Sequence, residues 1–495
     1  MLFDKQRDRG MRRGSALRSQ RIARRKSGLF GPWIIVVACL GSAAAGWIVG
    51  DDAEATAAAT QVQSTLFAPI LAPTPEEVAE QAPEPRVARS VPAEVLARLP
   101  STRRDILELR APQASSELRE WVHRDGTPVT PDAPGANALL VRYTLNADLT
   151  DSILRMLEQQ KVSLGQIVVA DARTGRLLSY AVTDPAKFGP AKTYPAASLA
   201  KVVTAAAALE ANPAAFDRHC VFAGSPYKLT PARLRVPRTG NRISLVKALA
   251  TSNNQCFGRL AVDTLGSDGM RKAFSSFGWL ASPAPGYPAG RILETEDPYA
   301  IAELGSGLAG SSITPLHAIQ LALSLVDGRV PEPFWIEHVE DADGNAWSLP
   351  ERAAPAQAMK PGVARKLRKM LVETTVRGTA RRAFHRRNGR PLLQEINVAG
   401  KTGSLTGTDP AGRYEWFVGV APANDPAIAI AVVSVHGDFF LQTSSQLAAE
   451  VLRRVFCPKG ICDATAANEW LGETESDIAD VGTGAPARDR SIASP

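Results

Sequence analysis

Three rhythms of hydrophobic and polar residues divide this chain. From Ser27 to Gly50 no charge interrupts an apolar run centred on Leu29-Phe-Gly-Pro-Trp-Ile-Ile-Val-Val-Ala-Cys-Leu40. As a helix this run would span roughly 36 Å, enough to cross a bilayer. Residues 51–90 lose that rhythm; rich in Ala, Pro, Glu and Thr, they read as an extended linker. Over 91–140 the pattern is weak. Two short helices, 93–99 and 101–109, are separated by Pro100, and Ala138 to Leu145 reads as a strand. A small accessory or pedestal region is expected there.

From about residue 150 the periodicity sharpens. Leu149 to Gln160 predicts a helix capped by Asn146 or Asp148, followed by a hairpin of 164–171 and 176–182 turned at Ala172-Arg-Thr-Gly175. Ala196 to Asn212 predicts an apolar helix that ends before Pro213. Further helices are expected at 245–250, 254–265, 313–325 (with Pro315 in its first turn), 364–376 and 441–455. Strands are expected at 396–405, 415–421 and 427–435. Strands at both ends with helices between them predict an α+β domain over 141–457, an antiparallel sheet sandwiched by helices. Residues 465–495 are polar and rich in Gly, Ala and Asp, and are expected to be disordered. No internal repeat is present.

Charge changes this picture at one end only. Of 57 Lys/Arg and 50 Asp/Glu, ten and two fall in residues 1–26, leaving 47 against 48 elsewhere. The basic balance belongs to the tail, and the globular part gives no reason to expect nucleic acid. Basic residues before an apolar span place 1–26 in the cytoplasm and the remainder on the extracytoplasmic side of a single-pass anchor at 27–50. A signal peptide cut near Ala43 to Ala45, or lipidation at Cys39, would export the same domain; the apolar run continuing through Trp47-Ile-Val favours the uncleaved anchor. Four cysteines then lie in an oxidising compartment. Cys457 and Cys462 bracket a Pro/Gly turn and are placed to close a small loop. Cys220 and Cys256 either pair by elimination or remain buried thiols. The six histidines show no metal-ligand spacing, and neither a metal nor another cofactor is expected.

Three short signatures carry the chemistry: Ser198-Leu-Ala-Lys201, Ser252-Asn253-Asn254 and Lys401-Thr402-Gly403. Ser198 opens the helix of 196–212, where a main-chain N–H free of helical bonding can face an oxyanion. Lys201 falls one turn on along the same face, in a helix with almost no polar side, so its charge needs a reason. Burial beside a second cation, for which Lys401 is the candidate, would lower its pKa and free a lone pair to activate the serine. Ser252 offers a proton relay to the leaving group. The Asn254 amide is placed to hold a substrate amide or to orient Lys201. Gly403 sits inside an apolar strand, where glycine signals close approach of another backbone, here an extended peptide added to an edge strand. Thr402 and Ser404 are candidates for a terminal carboxylate, with the Ser404 N–H as second oxyanion donor. Each signature alone is ordinary: a capping serine, a helix–helix turn, an edge lysine. Their order and contexts make the joint case.

With these motifs the chain resembles the transpeptidase domain of the penicillin-binding proteins over about residues 140–456. Asp171-Ala-Arg-Thr-Gly-Arg-Leu-Leu-Ser-Tyr-Ala181, Gly305-Ser-Gly-Leu-Ala-Gly-Ser-Ser-Ile-Thr-Pro-Leu316, Arg377-Gly-Thr-Ala380 and Trp416-Phe-Val-Gly-Val-Ala-Pro422 add to the likeness. The resemblance implies a serine β-lactamase/D,D-transpeptidase-like fold and an acyl-enzyme on Ser198. It implies peptidoglycan stem peptides ending in D-alanyl-D-alanine as substrates, and β-lactams as inhibitors. The residues before the domain are too few and too rich in Pro and Ala for a glycosyltransferase, which implies a class B, monofunctional member working with a separate membrane glycosyltransferase. Ser404 stands where many transpeptidases have a second threonine. Two rival readings share the site: a hydrolase (D,D-carboxypeptidase or β-lactamase), and a non-catalytic penicillin-binding scaffold or sensor.

Overall fold

The computed structural model describes residues 89–472 apart from 112–115, 130–134, 136, 218 and 438–441. The basic segment 1–26, the expected anchor at 27–50 and nearly all of the linker lie outside the described residues. Among those described, no helix is long and apolar enough to cross a membrane.

Along the chain, helices α1 (Ala93–Leu96) and α2 (Arg103–Leu109) precede strands β1 (Leu118–Val122) and β2 (Leu139–Tyr143). Helix α3 (Ala147–Gln159) leads into the hairpin β3 (Leu164–Asp171) and β4 (Leu177–Val182). Next come α4 (Ala200–Ala211), a small hairpin β5 (His219–Phe222) and β6 (Asn241–Ser244), and helices α5 (Leu245–Ala250), α6 (Asn254–Leu260), α7 (Gly266–Ser276), α8 (Pro298–Ser306) and α9 (Pro315–Asp327). The rest is β7 (Ile336–Asp341), α10 (Pro361–Val376), α11 (Arg381–Phe384), β8 (Ala399–Thr408), β9 (Ala411–Ala421), β10 (Ile428–His436), α12 (Ser444–Phe456) and α13 (Asn468–Leu471).

The central sheet is antiparallel, in the order β8-β9-β10-β3-β4, so β8 is an edge. Every residue of β10 is buried, which requires cover on both faces. Helices α9 and α10 pack together on one. On the other, α3 and α12 are neighbours, joined by Arg454 Nη1 donating to Ser152 Oγ at 2.7 Å. The expected α+β sandwich is therefore the observed one.

The accessory region expected over 91–140 is not separate. Strand β2 crosses the expected boundary and pairs with β1 on one side and with β7, from deep in the domain, on the other. Val95, Ile106 and Leu118 belong to the same hydrophobic core as Ile430. A buried cluster adds a polar tie: Arg98 grips Glu120 through both carboxylate oxygens at 2.7 and 2.8 Å, and Tyr143 Oη donates to the same carboxylate at 2.5 Å. Local periodicity carries no record of strand pairs so distant in sequence. The expected disorder from 465 is corrected over 465–472, and 473–495 lie outside the described residues. Residues 464–467 form a 3-10 turn and 468–471 a helical turn, with Ala467 and Leu471 buried and Arg176 donating to the Leu471 carbonyl. Composition averaged over 465–495 hides these two apolar anchors.

Candidate active site

Ser198 does not open an ordinary helix. Ala197 takes φ +51°, residues 197–199 make one 3-10 turn, and only then does α4 run regularly. Trp416 Nε1 donates to the Pro195 carbonyl at 2.9 Å, tying the approach to this turn onto β9. Lys201, one turn further, is fully buried, as is Lys401 on β8.

The Lys201 amine meets three groups: Ser198 Oγ at 3.0 Å, Asn254 Oδ1 at 2.7 Å and the Ser306 carbonyl. Asn254 is fixed in this sense because its Nδ2 donates to the Tyr227 carbonyl at 2.7 Å. Two of the three groups on Lys201 are carbonyl oxygens that only accept, and a neutral amine has two N–H bonds to give them. Its lone pair is left for the third, the Ser198 hydroxyl. Burial first, and the Lys401 charge second, hold the Lys201 pKa well below the usual lysine value. Burial and the neighbouring cation thus favour the neutral amine, and these contacts aim it at Ser198.

Lys401 Nζ donates to Ser252 Oγ at 3.1 Å and to the Thr402 carbonyl at 2.6 Å. Burial lowers its pKa to about 7. Ser252 follows α5 with φ +56°, a left-handed conformation for a residue with a side chain, as at Ala197. Each costs on the order of 1–3 kcal/mol and survives only where surroundings enforce it. Ala197 immediately precedes Ser198, and Ser252 itself carries the hydroxyl that meets Lys401. Gly307, at φ +68°, lies so close to the turn that an added Cβ would sit 2.0 Å from the Ala197 carbonyl oxygen. Its neighbour Ser306 ends α8, which Thr204 of α4 holds through a bond to the Gly305 carbonyl at 2.9 Å.

The edge strand β8 runs beside the turn. A Cβ on Gly403 would lie 3.3 Å from the Ser198 nitrogen and 3.2 Å from Ala197 Cβ, so the backbone that requires this glycine is the protein's own. The Thr402 carbonyl turns toward Lys401, and strand alternation offers the main chain of Ser404 on the same side. Thr402 Oγ1 is 2.5 Å from Thr379 Oγ1, and Ser404 Oγ accepts from Arg413 Nε at 2.8 Å. Ser198, Ser252, Asn254, Thr402, Gly403 and Ser404 all line one cleft of about 690 Å³.

The structure therefore brings every expected site residue together. Asn254 contacts Lys201 through Oδ1 and the Tyr227 carbonyl through Nδ2, and it also lines the cleft. Three participants carried no assigned role in the sequence: the Ser306 and Tyr227 carbonyls and the Thr379 hydroxyl. Gly305-Ser-Gly and Arg377-Gly-Thr were visible as stretches, but a carbonyl has no residue signature. Cys220 and Cys256 are disulfide-bonded, as are Cys457 and Cys462. Among the described residues no group of His, Cys, Asp and Glu is placed to hold a metal ion.

Comparison with known proteins supplies the context. The family model of the penicillin binding protein transpeptidase domain matches residues 165–456. Peptidoglycan D,D-transpeptidase PbpA of Mycolicibacterium smegmatis is 30% identical over 276 residues, covering 53% of this chain and 54% of that protein. Stage V sporulation protein D of Bacillus subtilis is 24% identical over 282 residues, 53% of this chain and 41% of that protein. The chain spans about half the length, or less, of these curated relatives. Among solved structures, the D,D-transpeptidase domain of a peptidoglycan glycosyltransferase from Eggerthella lenta superposes with a TM-score of 0.52 at 24% identity, over 67% of this chain and 83% of that one. PBPA from Mycobacterium tuberculosis gives 0.51 at 23%, over 63% and 80%. These likenesses show the shared fold. By the family match across most of its described residues, and by the ordered serine–lysine site within that match, this chain belongs to the penicillin-binding protein transpeptidase family.

Proposed function

We propose that the chain is a peptidoglycan D,D-transpeptidase that cross-links stem peptides through an acyl-enzyme on Ser198 and is acylated by β-lactams at the same residue. One observation carries this: a buried lysine whose two proton-accepting partners leave its lone pair for Ser198. In this reading Lys201 takes the Ser198 proton as Oγ attacks the carbonyl carbon of the penultimate D-alanine. The Ser198 and Ser404 N–H groups receive the oxyanion. The peptide C–N bond breaks, and Ser252, held by Lys401, relays the proton to the departing D-alanine. An amine of a second stem peptide then attacks the ester and restores the serine. The names of the curated relatives support the substrate class.

The same reading places the domain outside the cytoplasmic membrane, on a single-pass anchor at 27–50, with a membrane glycosyltransferase as partner. Its support is the basic 1–26 preceding an uncharged apolar run. The test is labelling of the full-length chain by a fluorescent penicillin, with Ser198→Ala as control. Stable label on the parent chain only is expected. Rapid loss of label with turnover would make the chain a β-lactamase, and no label on the folded protein would leave a scaffold.

A further inference from the structure

Two segments that reach the cleft, at Tyr227 and at Arg382, are strongly cationic in a domain whose remaining residues are acidic on balance. Residues 227–242, beginning with the cleft residue Tyr227, hold five Lys/Arg and no acid; residues 377–390 hold six Arg and no acid. Some of these charges have internal work. Arg233 donates to the Ser225 and Lys228 carbonyls, and Arg377 lies 3.3 Å from Glu373. Arg382, Arg386, Arg387 and Arg390 do not. All four are exposed, and among the described residues their side chains have no ion pair or hydrogen bond.

The second segment is held firmly against the site. Thr379 N donates to the Ala250 carbonyl at 3.1 Å, two residues before Ser252, and the Thr379 hydroxyl touches Thr402 at 2.5 Å. Phe384 stacks on Phe417 of the central sheet with ring centroids 5.3 Å apart. Arg382 thereby lines the same cleft as Ser198, and the exposed Arg386, Arg387 and Arg390 follow it within eight residues of the chain. Unpaired like charges on a fixed short segment repel one another, and a bound anion relieves that repulsion. Guanidinium groups favour carboxylates, which they can bind through two parallel hydrogen bonds.

We propose that the arginines of 382–390 form an anion-recognising rim of the cleft that selects acidic stem peptides, those with free side-chain carboxylates, over amidated ones. This deepens the transpeptidase reading and rests on it for the identity of the peptide.

The test compares two synthetic pentapeptides ending in D-Ala-D-Ala, identical except that the side-chain carboxylates are free or amidated. Binding to the full-length Ser198→Ala chain is followed by NMR titration at low and at physiological ionic strength. A preference of about fivefold or more for the free acid is expected at low salt, shrinking as salt rises. It should vanish in Arg382→Gln/Arg386→Gln/Arg387→Gln/Arg390→Gln and persist in the matching quadruple Lys variant, which separates charge from folding. Equal binding by the parent, or a preference that survives the Gln variant, overturns the rim. Salt-sensitive adsorption to phosphatidylglycerol vesicles without peptide discrimination also overturns it, assigning the arginines to a membrane surface. D-alanine release by the parent chain is read separately. Its absence with the preference intact would defeat the transpeptidase reading and leave the rim standing.

Discussion

Lys201 Nζ lies 2.7 Å from Asn254 Oδ1, and that contact joins two of the three sequence signatures into one device. Asn254 is anchored by the Tyr227 carbonyl, so its Oδ1 presents a neutral acceptor to the lysine. A carboxylate in the same place would be a counter-ion. Asn254→Asp should raise the Lys201 pKa, keep the base protonated at neutral pH, and slow acylation of Ser198 by a factor on the order of 10²–10⁴. Activity should return as pH is raised. A stopped-flow pH profile of penicillin acylation that matches the parent's would refute this role for Asn254.

The second lysine links pH to stability. Lys401 titrates at about 7 in the folded chain against an ordinary 10.5. Below pH 7 it is charged whether folded or unfolded, and the full penalty of burying it is present. Between about 7 and 10.5 the unfolded chain holds a proton that the folded chain has released, so stability rises with pH through that window, by a few kcal/mol at most. Lysine 201, also lowered, acts in the same direction. Denaturant midpoints from pH 7 to 10 should climb in the parent and climb less in Lys401→Met. An unchanged slope in the variant would contradict the assignment.

Gly403 packs closely against the turn that carries Ser198. Gly403→Ala places a methyl 3.3 Å from the Ser198 nitrogen, tighter than most real contacts, against main chain that has no flexible end to yield. Acylation should fall by roughly tenfold to a hundredfold, from displacement of an oxyanion donor, with little change in melting temperature. Acylation kinetics and calorimetry on the same preparation separate the two effects; parental acylation in the variant would disprove the close approach.

The disulfide between Cys220 and Cys256 closes a 36-residue separation and ties hairpin β5-β6 to the helix that carries Asn254. Loop-closure entropy for that length is worth about 4 kcal/mol. Cys220→Ser/Cys256→Ser should therefore unfold at markedly lower denaturant and label more slowly with penicillin, because Asn254 and Ser252 lie within four residues of Cys256. A variant with parental stability would show the bond to be dispensable.

The Thr379 hydroxyl, 2.5 Å from Thr402, braces the edge strand at the mouth of the cleft. Thr379→Val removes one hydrogen bond and should weaken acylation efficiency by about 1 kcal/mol, or fivefold. Unaltered kinetics would assign Thr379 to structure alone.

What the sequence determined by itself is the part of this protein governed by local rules. Alternation and helical period located the five strands of the central sheet and the helices that cover it, because burial on one face or two leaves a repeat that can be read within ten residues. The site residues Ser198, Lys201, Ser252 and Lys401 were legible for a related reason: a charge in the apolar helix at Lys201 and a glycine in the apolar strand at Gly403 break the local pattern, and such breaks mark sites. Tertiary structure alone decided the rest. Strand β2 pairs with β7 across nearly two hundred residues, and that pairing dissolved the expected boundary at 140. Ala467 and Leu471 find a core only because the fold brings one to them. The Ser306 carbonyl that meets Lys201 and the Tyr227 carbonyl that fixes Asn254 are main-chain atoms common to every residue. Their direction depends on the path of the backbone in three dimensions, and no side chain announces it.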